Sequence, residues 1–344
     1  MKTKHLISAA LALLLACSLP VTALAAEYDL AEGSVTVIAT ESGQTVTHGS
    51  NAAVPDDAPV IIQSNSSEPP TANTVTIKAE ENATANVTLD GVNIDTRGTD
   101  KAAVEIQGEG DVVIELDGSN TVQSDWNRAG VEKNTRDPWG TNPGSGNGNL
   151  TITDENETHG SLKATGGGTG AGIGGGQDRS GSNITITGNA EVTAQGGHGA
   201  AGIGGSDDND GRNITISGNA EVIATGGSLG AGIGGGHDRS GGNITITGTA
   251  EVTAQGGLSA SGIGGGAYRN GSNINISGTA EVTAKGGNYG AGIGGGYKCS
   301  GSNITISQDA QVKAQGGKGG KSNNNPEVVY GAGAAIGNGG KSGY

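Results

Sequence analysis

Residues 183–197 read NITITGNAEVTAQGG, and near-copies begin at Asn213, Asn243, Asn273 and Asn303. The starts are 30 residues apart, with no insertion between them. In N-I-T-I-T the isoleucines fall on one side and the threonines on the other, the two-residue period of a strand. In A-E-V-T-A the alanines and valine face inward, and the Glu and Thr face out. A looser copy at Asn149 and the copies at Asn183, Asn213, Asn243 and Asn273 each lead into a glycine-rich element: GAGIGGG at 170–176, 230–236 and 290–296, AAGIGGS at 200–206, ASGIGGG at 260–266. The copy at Asn303 leads into a degraded one, GAAIGNGG at 333–340. Its isoleucine (Ile173, Ile203, Ile233, Ile263 or Ile293) is the inward plug of a third, short strand. Three short strands per period, no helical spacing and a constant repeat predict an all-β chain, a right-handed parallel β-helix with 30-residue coils. Glycines supply its tight corners.

GAGIGGG also fits G-x-G-x-x-G, the fingerprint that cradles a dinucleotide. That motif has to follow a strand and open a helix. Here it recurs in every coil and runs into turn residues and another strand, so a nucleotide loop is excluded.

Outward from the repeat, residues 149–344 are read as regular coils, starting with a looser copy at Asn149. Residues 74–148 are read as irregular coils, with strands at Val75–Ala79, Asn86–Thr96, Ala102–Gln107 and Asp111–Ser124 and a loop at 133–148. Within them, Asn127–Val131 (NRAGV) resembles the glycine-rich element. Residues 27–73 are expected to cap the N-terminal end. Residues 1–26 read as a signal peptide: Lys2 and Lys4, an apolar run Leu6–Leu15, Pro20, then Ala23-Leu24-Ala25. A lipobox ending at Cys17 is the alternative. Either reading places the protein outside the cell, secreted or on the cell surface. No later run is long enough for a membrane-spanning helix.

Composition agrees with a thin core. The chain has 68 glycines, no phenylalanine and a formal net charge of −15. The charge argues against nucleic acid and anionic membrane as partners. Cleavage of the signal leaves Cys299 alone, without a partner for an internal disulfide. A single coil buries too few large aliphatics to offset the ordering of its residues, so stability has to come from stacking. Stacking predicts ladders of like residues, above all Asn183, Asn213, Asn243, Asn273 and Asn303.

The succession GSNT-V, RAG-V, L-TIT and AGIGGG, then repeated NITIT–AEVTA–GAGIGGG, resembles secreted glycine-rich surface proteins of gut Firmicutes. These are often labelled carbohydrate-binding-domain-containing or adhesin-like. The resemblance runs from about residue 75 onward. It implies a β-helix that binds a polysaccharide, a host glycan or a host surface protein. It brings no catalytic motif, so no functional residue carries over.

Candidate ligand residues come from the turns. Ser206–Asp210 (SDDND) sets oxygen-bearing side chains in a glycine-flanked turn, suited to a hard cation such as calcium. Asp178, Asp208 and Asp238 share one register, and Asp207 and Asp210 flank the middle one. A second acidic row, Glu191, Glu221, Glu251 and Glu281, places like charges one coil apart, about 4.8 Å. Repulsion there has to be relieved by solvent, by raised carboxyl pKa values or by a divalent ion. Tyr268, Tyr297 and His237 occupy one variable turn and Tyr289 the other, where a flat ring with a polar tip can stack on a sugar. The functional expectation is a non-enzymatic carbohydrate-binding or adhesin-like surface protein, calcium-assisted. The alternatives are a structural stalk and a pectate-lyase-like enzyme using Asp208, Asp210 and Arg212 or Arg239.

Overall fold

The computed structural model describes residues 25–63, 69–135, 146–321 and 329–343. The expected signal peptide up to Leu24, its alternative lipidation site Cys17, and Trp139 lie outside the described residues.

The coil beginning at Gly181 shows the plan. Gly181–Ile186, Glu191–Gln195 and Ile203–Gly204 are its strands. Each pairs in parallel with its counterpart one coil further on: Ile184 with Ile214, Val192 with Val222, Ile203 with Ile233. Among the described residues all regular elements are strands. The parallel β-helix of 30-residue coils is therefore the observed architecture. Ile184, Ile186, Val192, Ala194 and Ile203 point into the coil and are buried. Their counterparts in the next coils are buried as well, so the core is one column of aliphatic side chains.

Upstream, Val75–Ala79 is a strand as expected, and Val131 pairs with Ile173, which places NRAGV in the glycine-rich register. The expected strand Asn86–Thr96 is two, Thr84–Asp90 and Asn93–Asp95, because the chain turns at Gly91. The next coil takes the same corner as one continuous strand, Asp111–Gln123, which pairs with both. The loop expected at 133–148 starts later, since Val131–Lys133 is a strand and Asn134 bridges Gly181. At the N-terminal end Val35–Thr40 pairs in parallel with Val75–Ala79 and antiparallel with Gly43–His48. That hairpin covers a sheet edge that would otherwise present unpaired backbone groups. At the other end Ile304, Ile306 and Val312 are only partly buried, whereas Ile274, Ile276 and Val282 one coil earlier are fully covered.

The asparagine ladder forms. Asn213 Nδ2 donates to Asn183 Oδ1 at 2.9 Å, Asn243 to Asn213 at 3.0 Å, Asn273 to Asn243 at 3.0 Å and Asn303 to Asn273 at 2.9 Å. All five lie at φ between +50° and +59°. After glycine, asparagine enters this left-handed region most readily. The residue thus answers two demands, a backbone conformation and a side-chain bond to the next coil. Asn243→Ala is expected to cost about 2 kcal/mol and Asn243→Gly about half that, because glycine loses the bonds but not the conformation. Urea denaturation of the two variants checks this; equal losses would refute the backbone half of the argument.

The glutamate row also stacks as expected. Glu191, Glu221, Glu251 and Glu281 are register partners in succession, and all are exposed. Gln311 ends the row by donating from Nε2 to Glu281 Oε1 at 3.2 Å.

Candidate functional site

Two columns of turns flank the short glycine-rich strands. One contains residues 196–200 and the other 205–210, with their counterparts in each coil. Backbone bonds fasten the second column to the first of the preceding coil. Gln177 N donates to Asn127 O, Asp207 N to Thr169 O, His237 N to Gly199 O and Tyr297 N to Ser259 O. The two columns therefore form one continuous face. The other faces carry repeated Asn, Thr and Glu, whereas here the residue changes from coil to coil.

Most of the candidate residues meet on this face. His237 Nδ1 lies 3.4 Å from Asp207 Oδ1 and 3.8 Å from Asp208 Oδ1. The His237 and Tyr268 rings are 6.4 Å apart, Tyr268 and Tyr297 5.5 Å, and Tyr297 and Tyr289 5.2 Å. Asp207, His237 and Tyr297 occupy one register in separate coils. The chain of contacts from Asp207 to Tyr297 therefore climbs three coil rises, roughly 14 Å.

Their accessibilities differ. Tyr268 is 42% exposed, Tyr289 is half-buried, and Tyr297 is 5% exposed. The expectation that Tyr297 is a stacking surface is therefore corrected. Tyr268 and Tyr289 pack against its ring, Lys298 Nζ sits 4.9 Å from its centroid, and it forms the floor of the cluster. The reason is a one-residue offset. Tyr297 takes the inward-leaning register of Asp207 and His237, while Tyr268 takes that of Asp178, Asp208, Asp238 and Lys298, all at φ between +51° and +64°.

The acidic candidates separate too. Among the described residues, only Asp207, Asp208 and His237 bring three potential metal-ligating atoms within 4.8 Å of one another. Asp210 turns away; its carboxylate pairs with Arg212 at 3.1 Å and accepts from Ser240 N at 3.0 Å. Asn209 donates from Nδ2 to Asp207 O at 2.9 Å, bracing the turn. Asp238 approaches the far side of the ring, 3.8 Å from His237 Nε2. Asp178 lies one coil earlier. Asp178 and Asp210 thus stand apart from the Asp207–Asp208–His237 group, and Glu191, Glu221, Glu251 and Glu281 form a row of their own. An imidazole joins the oxygens, and nitrogen donors suit zinc, copper or nickel better than calcium.

Asp178 instead lines a cavity of about 460 Å³ on the same face, with Asp100, Asn127, Arg128, Glu132 and Arg179. The Glu132 side chain is 1% exposed and lies 3.0 Å from Arg128 Nε; it accepts from Ala129 N at 3.1 Å and Asn134 Nδ2 at 2.7 Å. Arg128 also pairs with Glu105 at 3.3 Å. Burial pushes the Glu132 carboxyl above its usual range against the opposing pull of Arg128. The adjacent Lys133 is buried, donates to Gly146 O at 2.7 Å, and has its pKa lowered to about 8 by burial. Sequence reading missed this network, and it also missed Trp126, 68% exposed on the neighbouring turn. A signal for Trp126 was present: counted back from Val131, it falls in the column of Gly168 and His198.

The Beta helix repeat family matches residues 184–207, 214–237, 244–267 and 274–297, four stretches one period apart. The chain is thus a β-helix repeat protein, and this fold supports a surface or structural role. No curated protein and no solved structure matches it.

Proposed function

We propose that this β-helix is a non-enzymatic surface protein that binds polysaccharide along the face between the two turn columns. The carrying observation is the column of His237, Tyr268, Tyr297 and Tyr289, four aromatic rings in a chain otherwise poor in them. Tyr268 and Tyr289 offer ring faces and hydroxyls, and Tyr297 holds them from beneath. Sugar rings have one apolar face and a polar edge, the complement of a tyrosine. Asp207, Asp208 and His237 are the residues that would hold a divalent ion beside this column. With an imidazole among the donors, zinc is the better-matched ion and calcium the weaker one. The lyase alternative has less support, because Arg212 is engaged by Asp210.

The test is retention of the purified protein on insoluble and immobilised glycans, with zinc, with calcium and with EDTA. Retention on at least one glycan is expected, and Tyr268→Ala should weaken it about tenfold, roughly 1.4 kcal/mol. Loss of retention in EDTA, restored by zinc, would place the ion in the site. No retention on any glycan in any condition would remove the carbohydrate reading and favour a structural rod.

A further inference from the structure

Trp126 is the most exposed large apolar side chain among the described residues, at 68%, yet its position is closely defined. Its ring lies over Gly168 of the next coil, where a Cβ would stand 2.6 Å from ring atoms Cδ2 and Cε2. Gly166, Gly167 and Gly197 continue a floor without side chains, in an open cavity of about 430 Å³. The rim is polar: Arg97, Gln123 and Asp125. Both rim charges are already engaged. Arg97 is held by Asp95 through Nε at 2.9 Å, and the Asp125 carboxylate accepts from Trp126 N at 2.7 Å and from Asp100 N. A ligand here meets an indole face, a flat backbone floor and hydrogen-bonding groups without a free ionic charge. That combination disfavours a polyanion, as does the acidic net charge.

We propose that Trp126 and its glycine floor form a second carbohydrate subsite, which stacks the apolar face of a neutral pyranose ring. The inference rests on the polysaccharide reading above and assigns it a second contact point, towards the N-terminal end of the rod. Gly168 leaves the room in which the indole lies flat, so the platform is built by two consecutive coils. Gln123 and Arg97 then face the ring hydroxyls.

The test uses the full chain carrying Trp139→Phe, so that fluorescence reports Trp126 alone. It is titrated with neutral hexasaccharides (cellohexaose, laminarihexaose, mannohexaose) and, as control, with oligogalacturonate. A saturable change in Trp126 emission with a neutral sugar and none with the control is expected. Trp126→Ala should weaken retention on the matching polysaccharide at least tenfold. Gly168→Ala should do the same by displacing the ring, with circular dichroism and melting checked in both variants. If the protein retains glycans but Trp126 emission is silent and Trp126→Ala is retained equally, the subsite is overturned while the Tyr268 reading stands. If the wild-type protein retains no glycan at all, both fall.

Discussion

Gly234→Ala lowers the unfolding free energy by about 3 to 5 kcal/mol, whereas Gly337→Ala lowers it by only about 1 to 3 kcal/mol. The two glycines occupy the same register of the third strand, at φ +131° and +117°. Both sit where an L side chain is strained. They differ in what a side chain would meet. At Gly234 a Cβ would stand 2.1 Å from the carbonyl oxygen of Gly264, one coil away. At Gly337 nothing lies within 4 Å. The difference between the variants therefore isolates the contact between coils from the conformational strain. Gly234 also lies mid-rod, where opening one interface exposes Ile233 and its neighbours on both sides. Urea melts of the two proteins measure this, and indistinguishable midpoints would show that coil spacing does not depend on the missing side chain.

Stability should rise with pH between about 8 and 10, and Lys133 should be the cause. Its folded pKa is about 8, below the ordinary 10.5. Below pH 8 folded and unfolded chains both carry the proton, so the burial penalty is present in full. Between the two values the unfolded chain binds the proton and the folded chain does not, so rising pH favours folding. The full relief is about 3 kcal/mol, most of it reached by pH 10. Lys133→Met should flatten this slope and stabilise the protein at pH 7 by about 1 to 3 kcal/mol. Glu132 acts in the opposite direction at lower pH. Its carboxyl is raised by burial, so its contribution is greatest below the ordinary carboxylate pKa and declines as pH climbs through the folded value. The scan stops at pH 10 because Tyr28, raised to about 12 by burial and Asp56, removes stability above that point. A slope that persists unchanged in Lys133→Met would assign the effect elsewhere.

The architecture was legible because the period carries it. Once residues 30 apart are known to stack, register alone predicts the asparagine and glutamate rows and the inward column of Ile184, Ile214 and Ile244. The meeting of Asp207 with His237 follows from the same spacing. The burial of Tyr297 did not follow, since "turn" as a sequence category does not distinguish two adjacent positions of opposite tilt. The Arg128–Glu132–Lys133 network was hidden for a different reason. It lies in coils of irregular length, where the register given by Asn127–Val131 says nothing about burial and a buried charge looks like any surface charge. Trp126 was passed over because it stands in such a coil, while its partner Gly168 looks like any other glycine.

The amide ladder has a consequence for how such a chain changes length. Because Asn183, Asn213, Asn243, Asn273 and Asn303 offer identical upper and lower surfaces, any one coil is interchangeable with its neighbour. Excising residues 214–243 joins Asn213 to Ile244 in an unbroken N-I-T-I-T and brings Asn273 against Asn213. The same cut removes His237 and leaves Asp207 facing Ala267. Length and content are thus separate variables in this rod, as on a ruler whose gradations are uniform but whose markings are not.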